Sequence, residues 1–192
     1  MERQPERHDA TRAIDRAAIE RLLTRRAVPL REKSLWRMLY ETTARASEIL
    51  ALDIADLDLD ARRARVISKG CDTEYVYWAS STAHLLPRLL RGRTAGPVFL
   101  SERRPGRARL GYDRARTLLY QHARTPTSPG WDLHQLRHSA ATHLGDANAG
   151  LQLIMAKGRW RNPRTAMRYV KPGAVALAEV TELLDITPTR RV

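Results

Sequence analysis

The residues of this chain with the clearest chemical potential are basic side chains and one late tyrosine. They are Arg45, Lys69, His134, Arg137 and Tyr169. A phosphodiester is anionic and repels nucleophiles, so attack on it requires that its two non-bridging oxygens be held and their charge met. Arginine does this best, because its planar fork donates two parallel hydrogen bonds and keeps its charge. The set could therefore attack a phosphodiester without a metal ion.

Each member of the set has its own chemical use. Arg45 and Arg137 could clamp the phosphate. His134 lies three residues before Arg137, so both would point off one helical face near a helix start, where free N–H groups favour anions. The phenol of Tyr169 would need neighbouring cations to attack at neutral pH. Lys69, in a turn, is mobile enough to protonate the departing sugar 5′-oxygen.

Trp160 stands nine residues before Tyr169. Its indole N–H could donate to a phosphate oxygen while its ring packs against the tyrosine segment. Taken singly, each of these residues also has a structural explanation. Arg45 could form an ion pair with Glu48, His134 could cap a helix or fill a core, and Tyr169 could be a half-buried aromatic. Only the joint pattern favours the chemistry.

Three histidines, His134, His138 and His143, suggest a metal site as an alternative. The first two share a helical face, but His143 falls about 140° away from it at about 3.6 residues per turn. Cys71 is the only cysteine, which excludes an internal disulfide and a thiolate metal site within one chain. The sequence predicts no metal and no other cofactor.

The charge of the chain indicates a polyanionic partner. The 34 Lys and Arg residues outnumber the 21 Asp and Glu residues, for a formal net charge of +13. If the excess only reflected an arginine preference of the source genome, the number of acidic residues should be raised as well. The 21 acidic residues do not match the 34 basic ones. Nucleic acid is the commonest partner of such a protein. A length of 192 residues with 43% hydrophobic residues predicts about one domain with a genuine core.

The sequence also predicts a location. No apolar run approaches the roughly 18 residues that a membrane span needs. Residues 1–12 are charged and lack the apolar centre of a signal peptide. A lone cysteine suits a reducing compartment. We expect a soluble, cytoplasmic protein without a membrane partner.

Helical spacing of apolar residues dominates the chain. Two β-branched and aromatic segments, residues 65–67 and 75–78, flank turn chemistry at residues 69–72, which predicts a β-hairpin with Lys69 near its tip. A brief strand is predicted at residues 98–100, and Ser81 is expected to cap a helix. The fold class is α+β, predominantly helical, with one small antiparallel β-sheet. The predicted helices cover residues 13–27, 31–43, 45–52, 81–92, 112–124, 132–146, 151–157, 164–170 and 174–184.

From residue 22 to residue 184, the chain resembles the catalytic domain of the tyrosine recombinases, also called the phage integrase family. Four motifs occur in the family's order. They are Thr-Ala-Arg-Ala-Ser-Glu at residues 43–48, Ser-Lys-Gly at residues 68–70, His-Gln-Leu-Arg-His at residues 134–138, and Trp160 nine residues before Tyr169. One departure is Lys-Gly-Arg-Trp at residues 157–160, where the family usually has leucine, glycine and histidine.

The resemblance implies a mechanism without metal or ATP. Tyr169 would form a 3′-phosphotyrosyl link to double-stranded DNA and release a 5′-hydroxyl, and the 5′-hydroxyl of a second strand would reverse the step. By this resemblance, Arg45, Arg137 and Trp160 would bind the phosphate. Lys69 would protonate the leaving oxygen, and His134 would assist proton transfer. Glu48 would orient Arg45.

The resemblance also implies a domain organisation. Residues 1–12 would be a mobile polar N-terminus and residues 13–173 the catalytic domain, without the family's N-terminal core-binding domain. Residues 174–192 would form a C-terminal helix and tail. In the family, such a helix docks on a neighbouring protomer of a tetramer on DNA. Alternatively, this helix packs on the core of its own chain. Two other functions stay open at this point: a DNA-binding module that does not recombine, and relaxation of supercoils as by a type IB topoisomerase.

Overall fold

Most of the described chain is helical, as the apolar spacing predicts. The computed structural model describes residues 13–67, 72–102, 108–126, 128–170, 174–182 and 184. The chain divides into two units, Met1–Ala141 and Thr142–Val192. The predicted class, mainly helical with a small antiparallel sheet, is confirmed.

The first unit contains five complete helices in its described part. They are α1 (Arg16–Thr24), α2 (Leu30–Thr42), α3 (Ala46–Ala51), α4 (Ser80–Leu90) and α5 (Tyr112–Ala123). Helix α6 (Leu133–Asp146) begins in this unit and ends in the second. The second unit continues with α7 (Leu151–Gly158), α8 (Pro163–Met167) and α9 (Ala174–Glu182).

Helix α2 is the centre of the first unit. It contacts α1, α3, α4, α5 and strand β3 (Thr73–Tyr77). Its side chains are therefore buried on almost every side, unlike those of a surface helix. Burial of each large apolar side chain contributes roughly 1.5–3 kcal/mol relative to exposure. The most deeply buried of them are Leu35, Trp36, Met38 and Leu39.

The predicted hairpin is present and belongs to a sheet of three strands. Strands β1 (Leu57–Asp58), β2 (Arg63–Ile67) and β3 pair antiparallel in that order. Strand β1 and a 3₁₀ helix (Ile54–Asp56) lie where the sequence analysis predicted no element, because two strand residues are too few to show alternation. Lys69, at the predicted tip, lies outside the described residues.

Other expectations at element ends are corrected. Residues 98–100 form no strand; Leu100 takes part in an isolated bridge with Arg109. Ser81 does not cap α4, since the capping position is Ala79. Helix α1 is shorter than predicted because the side chain of Asp15 accepts a hydrogen bond from the Ala18 N–H and starts the helix there.

Arg109 closes the C-terminal end of α3. Its Nη1 donates to the carbonyls of Leu50 and Leu52 at 2.9 Å each, and its Nη2 lies 2.7 Å from the carboxylate of Asp53. The last carbonyls of a helix have no partner within the helix. Arg109 supplies such partners and thereby stabilises α3, the short helix that follows Arg45.

We predict that Arg109→Met lowers the free energy of unfolding by about 1–3 kcal/mol, because two carbonyls lose their donors. Urea denaturation measures the loss. Arg116→Met is the matched control: among the described residues, Arg116 pairs with Asp132 at an exposed position, and such pairs contribute about 0–1 kcal/mol. Equal losses in the two variants would contradict the role given to Arg109.

Candidate active site

A tight turn between α2 and α3 presents Arg45. Thr43 ends α2 in the left-handed conformation, with φ 52° and ψ 23°. The Thr42 hydroxyl accepts a hydrogen bond from the Ala44 N–H at 3.2 Å, and the Thr43 hydroxyl donates to the Thr42 carbonyl at 2.6 Å. Arg45 then takes the capping position of α3 rather than a place inside the helix. The guanidinium is thereby offered at a helix N-terminus, where anions are favoured.

Glu48 orients Arg45 by two contacts. Its carboxylate accepts a hydrogen bond from the Arg45 backbone N–H at 2.8 Å and lies 2.7 Å from Arg45 Nη1. The Glu48 side chain is 6% exposed, whereas the Arg45 side chain is 43% exposed. The structural ion pair considered from the sequence therefore exists, and it is compatible with a chemical role. A buried carboxylate holds a guanidinium that still faces solvent.

Arg137 reaches the same turn from α6. The residue is 4% exposed, and its Nη1 donates to the carbonyl of Thr43, 94 residues away in sequence. A buried guanidinium is costly unless its hydrogen bonds are satisfied, so this contact constrains both partners. The turn that presents Arg45 is thus held directly by the second arginine of the predicted pair.

His134 lies in the first turn of α6, as the sequence indicates. The Asp132 carboxylate accepts a hydrogen bond from the His134 N–H at 2.9 Å, and the Gln135 side chain accepts one from the Asp132 N–H at 2.8 Å. This reciprocal capping starts the helix. The His134 side chain is exposed, while Arg137, one turn later, is buried.

A surface cleft of about 760 Å³ lies between α5 and the start of α6. Its lining carries both signs of charge, because His134 and Arg116 stand there with Asp113 and Asp132, and Arg116 pairs with Asp132. We take the turn held by Arg137 as the candidate phosphate site, because the contact there joins the two arginines of the predicted pair.

The second unit contains Tyr169 and Trp160. Tyr169 follows α8, within which it was expected to lie, and its backbone N–H donates to the Ala166 carbonyl at 3.0 Å. The tyrosine is 7% exposed. Its ring stacks on that of Trp160, with centroids 5.1 Å apart and planes inclined by 25°. The packing of Trp160 against the tyrosine segment, predicted from the sequence, is observed.

Gly145, in the last turn of α6, lies directly against the backbone of Tyr169. A Cβ at position 145 would stand 1.7 Å from the Tyr169 carbonyl oxygen, closer than any nonbonded contact allows. Sequence reasoning missed this residue. The only signal was a glycine inside a helical pattern, which often marks a close backbone approach.

The predicted site residues fall into two described groups. Arg45, Glu48, His134 and Arg137 belong to the first unit, and Trp160 and Tyr169 belong to the second. Among the described residues, which include His134, His138 and His143, no three His, Cys, Asp or Glu side chains gather as metal ligands would. No helix in the described part of the chain is long and apolar enough to cross a membrane.

The phage integrase family model matches residues 12–174. The chain belongs to this family. It is 37% identical over 161 residues to tyrosine recombinase XerC of Mycobacterium tuberculosis, a match that covers 80% of this chain and 53% of the relative. It is 29% identical over 154 residues to XerC of Bifidobacterium longum, with 72% and 42% covered. The chain spans about half the length of the curated relatives it matches.

Solved structures show the same fold. The crystal structure of XerA recombinase matches with a TM-score of 0.73 at 20% identity, covering 96% of this chain and 68% of that one. A Tn1549 transposon integrase in complex with a circular intermediate DNA matches with a TM-score of 0.73 at 12% identity, covering 95% and 68%. The predicted tyrosine-recombinase fold is confirmed.

We predict that Gly145→Ala displaces the Tyr169 segment, because the added methyl group meets a backbone carbonyl that has no side-chain freedom to move. Overpacking of this kind costs typically about 1–3 kcal/mol. Thermal unfolding measures the loss, and near-UV circular dichroism follows the aromatic stack. Gly150→Ala is the control, since a Cβ there has no neighbour within 4 Å. A Gly145→Ala variant as stable as this control would refute the contact.

Proposed function

We propose that this chain is the catalytic part of a site-specific DNA recombinase, which cuts and rejoins double-stranded DNA through a 3′-phosphotyrosyl link to Tyr169. The observation that carries the proposal is the hydrogen bond from Arg137 to the turn that presents Arg45. Two arginines distant in sequence are thereby tied to one place. Membership of the phage integrase family and the similarity to XerC support it further.

In the proposed reaction, the phenol oxygen of Tyr169 attacks the phosphorus and the bond to the sugar 5′-oxygen breaks. Lys69 gives a proton to that oxygen, and His134 assists removal of the phenol proton. Arg45 and Arg137 donate hydrogen bonds to the non-bridging oxygens, whose charge grows in the transition state. Because one phosphodiester replaces another, a 5′-hydroxyl from a second strand can reverse the step without ATP.

The proposal brings the two described groups of residues together on the DNA. Trp160 would donate its indole N–H to the phosphate while its ring supports Tyr169. Residues 13–173 would act as the catalytic domain, in the cytoplasm, where chromosomal DNA is found. The helix and tail at residues 174–192 would dock on a neighbouring protomer of a DNA-bound tetramer. Exposure of Leu177, Val180 and Leu184 supports this docking.

Covalent capture tests the proposal. Nicked duplexes drawn from a genomic library trap the adduct, because the short 5′-hydroxyl fragment diffuses away after cleavage. We predict a DNA adduct that survives denaturation and is lost at least 10³-fold in Tyr169→Phe, since phenylalanine has no nucleophile. Tyr120→Phe, at an exposed tyrosine, is the control and should retain the adduct. Persistence of the adduct in Tyr169→Phe would overturn the assigned nucleophile.

The same assay separates the other functions considered from the sequence. Binding that weakens steeply with salt, without an adduct on any duplex, would indicate a DNA-binding module. Relaxation of a plasmid that lacks the captured site would indicate topoisomerase chemistry. Recombination predicts instead that the captured sequences share one site and that strand exchange needs two copies of it.

We predict that Glu48→Gln slows adduct formation about 10-fold or more while DNA affinity changes little. The amide oxygen can still accept from the Arg45 backbone N–H, but the charge that fixes the guanidinium is gone, and misplaced charge stabilisation lowers rates. Single-turnover cleavage at saturating DNA measures the effect. Glu41→Gln is the matched control, because Glu41 pairs with Arg37 and not with Arg45. A wild-type rate in Glu48→Gln would contradict the orienting role.

A further inference from the structure

Gly158 occupies an unusual place at the end of α7. The left-handed residue that closes this helix is Arg159, with φ 53° and ψ 43°. The Arg159 N–H donates to the Ala156 carbonyl at 3.2 Å, and the Trp160 N–H donates to the Met155 carbonyl at 3.0 Å, as in a Schellman motif. Glycine normally fills the left-handed position of this motif. Here an arginine fills it, and the glycine stands one residue earlier.

The backbone does not explain glycine at position 158. The residue is the last of α7, and its φ lies outside the range that favours glycine. The explanation is steric. A Cβ at position 158 would stand 2.3, 2.4 and 2.7 Å from three carbon atoms, Cζ3, Cε3 and Cη2, of the Trp160 ring. All three belong to the six-membered ring of the indole, which therefore lies where a side chain at position 158 would have to be.

The ring of Trp160 thus has two fixed neighbours. It lies against Gly158 and stacks on Tyr169. Both contacts lie within the second unit. A displacement of the ring by a side chain at position 158 removes the surface on which the tyrosine ring packs. We propose that Gly158 is a positioning residue for Tyr169, acting through Trp160, so that the size of residue 158 sets the rate of attack. This inference rests on the proposed function.

The substitution Trp160→His tests that mechanism. Imidazole lacks the six-membered ring, so it has none of the atoms that a Cβ at position 158 would meet. If Gly158 matters because of the Trp160 ring, Gly158→Ala must be harmful only while tryptophan is present. If Gly158 matters for the helix end, Gly158→Ala must be equally harmful with either residue. The two mutations therefore form a double-mutant cycle.

We expect Gly158→Ala to slow adduct formation at saturating DNA about 10- to 100-fold, because misplacement of a reacting group by about 1 Å can cost up to about 100-fold. DNA affinity should change less than about twofold, because the basic residues of the first unit are untouched. In a Trp160→His background, Gly158→Ala should cost less than about twofold further. Gly150→Ala, at the opposite end of α7 with open space around its Cβ, should stay within about twofold of wild type.

A second measurement needs no catalysis. With 3-fluorotyrosine incorporated, the ¹⁹F signal of Tyr169, assigned by its loss in Tyr169→Phe, senses the stacked indole. Gly158→Ala should shift this signal in the Trp160 background and leave it unchanged in the Trp160→His background. If wild type forms no adduct, the proposed function fails, while the fluorine cycle still decides the positioning role. An unshifted signal with an unchanged rate, or equal effects in both backgrounds, would overturn it.

Discussion

The hydrogen bond from the Arg137 guanidinium to the Thr43 carbonyl is the contact on which the candidate site depends. A buried charge has no access to water, so it must be satisfied by fixed protein groups. Thr43 can offer its carbonyl because it ends α2 in the left-handed conformation, and α2 is rigid because it is buried among five neighbouring elements. The capping of α6 by Asp132 fixes the other side of the contact. The packing of α2 in the core thus determines where the guanidinium groups of Arg45 and Arg137 lie.

The proposed nucleophile, Tyr169, is positioned by a different kind of contact. Tyr169 is placed by close packing of its ring on Trp160 and of its backbone on α6, and both contacts require the absence of a side chain nearby. Steric exclusion acts over a shorter range than charge and tolerates less displacement, because repulsion rises steeply below contact distance. Hydrogen bonds therefore position the two arginines, whereas close packing against glycines, which have no side chain, positions the tyrosine segment.

The positive charge of the chain has to be considered both as a total and residue by residue. As a total, +13 indicates a polyanionic partner. Several arginines nevertheless form ion pairs with acidic residues, so the total overstates the charge left for the proposed DNA partner. Besides Arg45 with Glu48 and Arg116 with Asp132, the described residues include the pairs Arg31 with Glu32, Arg37 with Glu41, Arg63 with Asp58, Arg65 with Asp56, and Arg109 with Asp53. The Ala61 N–H, and after it Arg63, hold the pKa of Asp58 below its ordinary value by hydrogen bonding to the carboxylate.

The sequence by itself determined the family, the helical class, the hairpin and the identity of the candidate residues, because these depend on local periodicity and on motifs in a fixed order. The sequence did not predict strand β1 or the correct ends of α1 and α4, because two-residue strands and helix caps leave weak local signals. The tertiary structure alone decided that Arg137 is buried against Thr43 while Arg45 faces solvent, and that Gly145 and Gly158 leave room for Tyr169 and Trp160. The physical reason is that burial and close approach depend on where the folded chain places each atom, and no spacing along the chain encodes which atoms a side chain will meet.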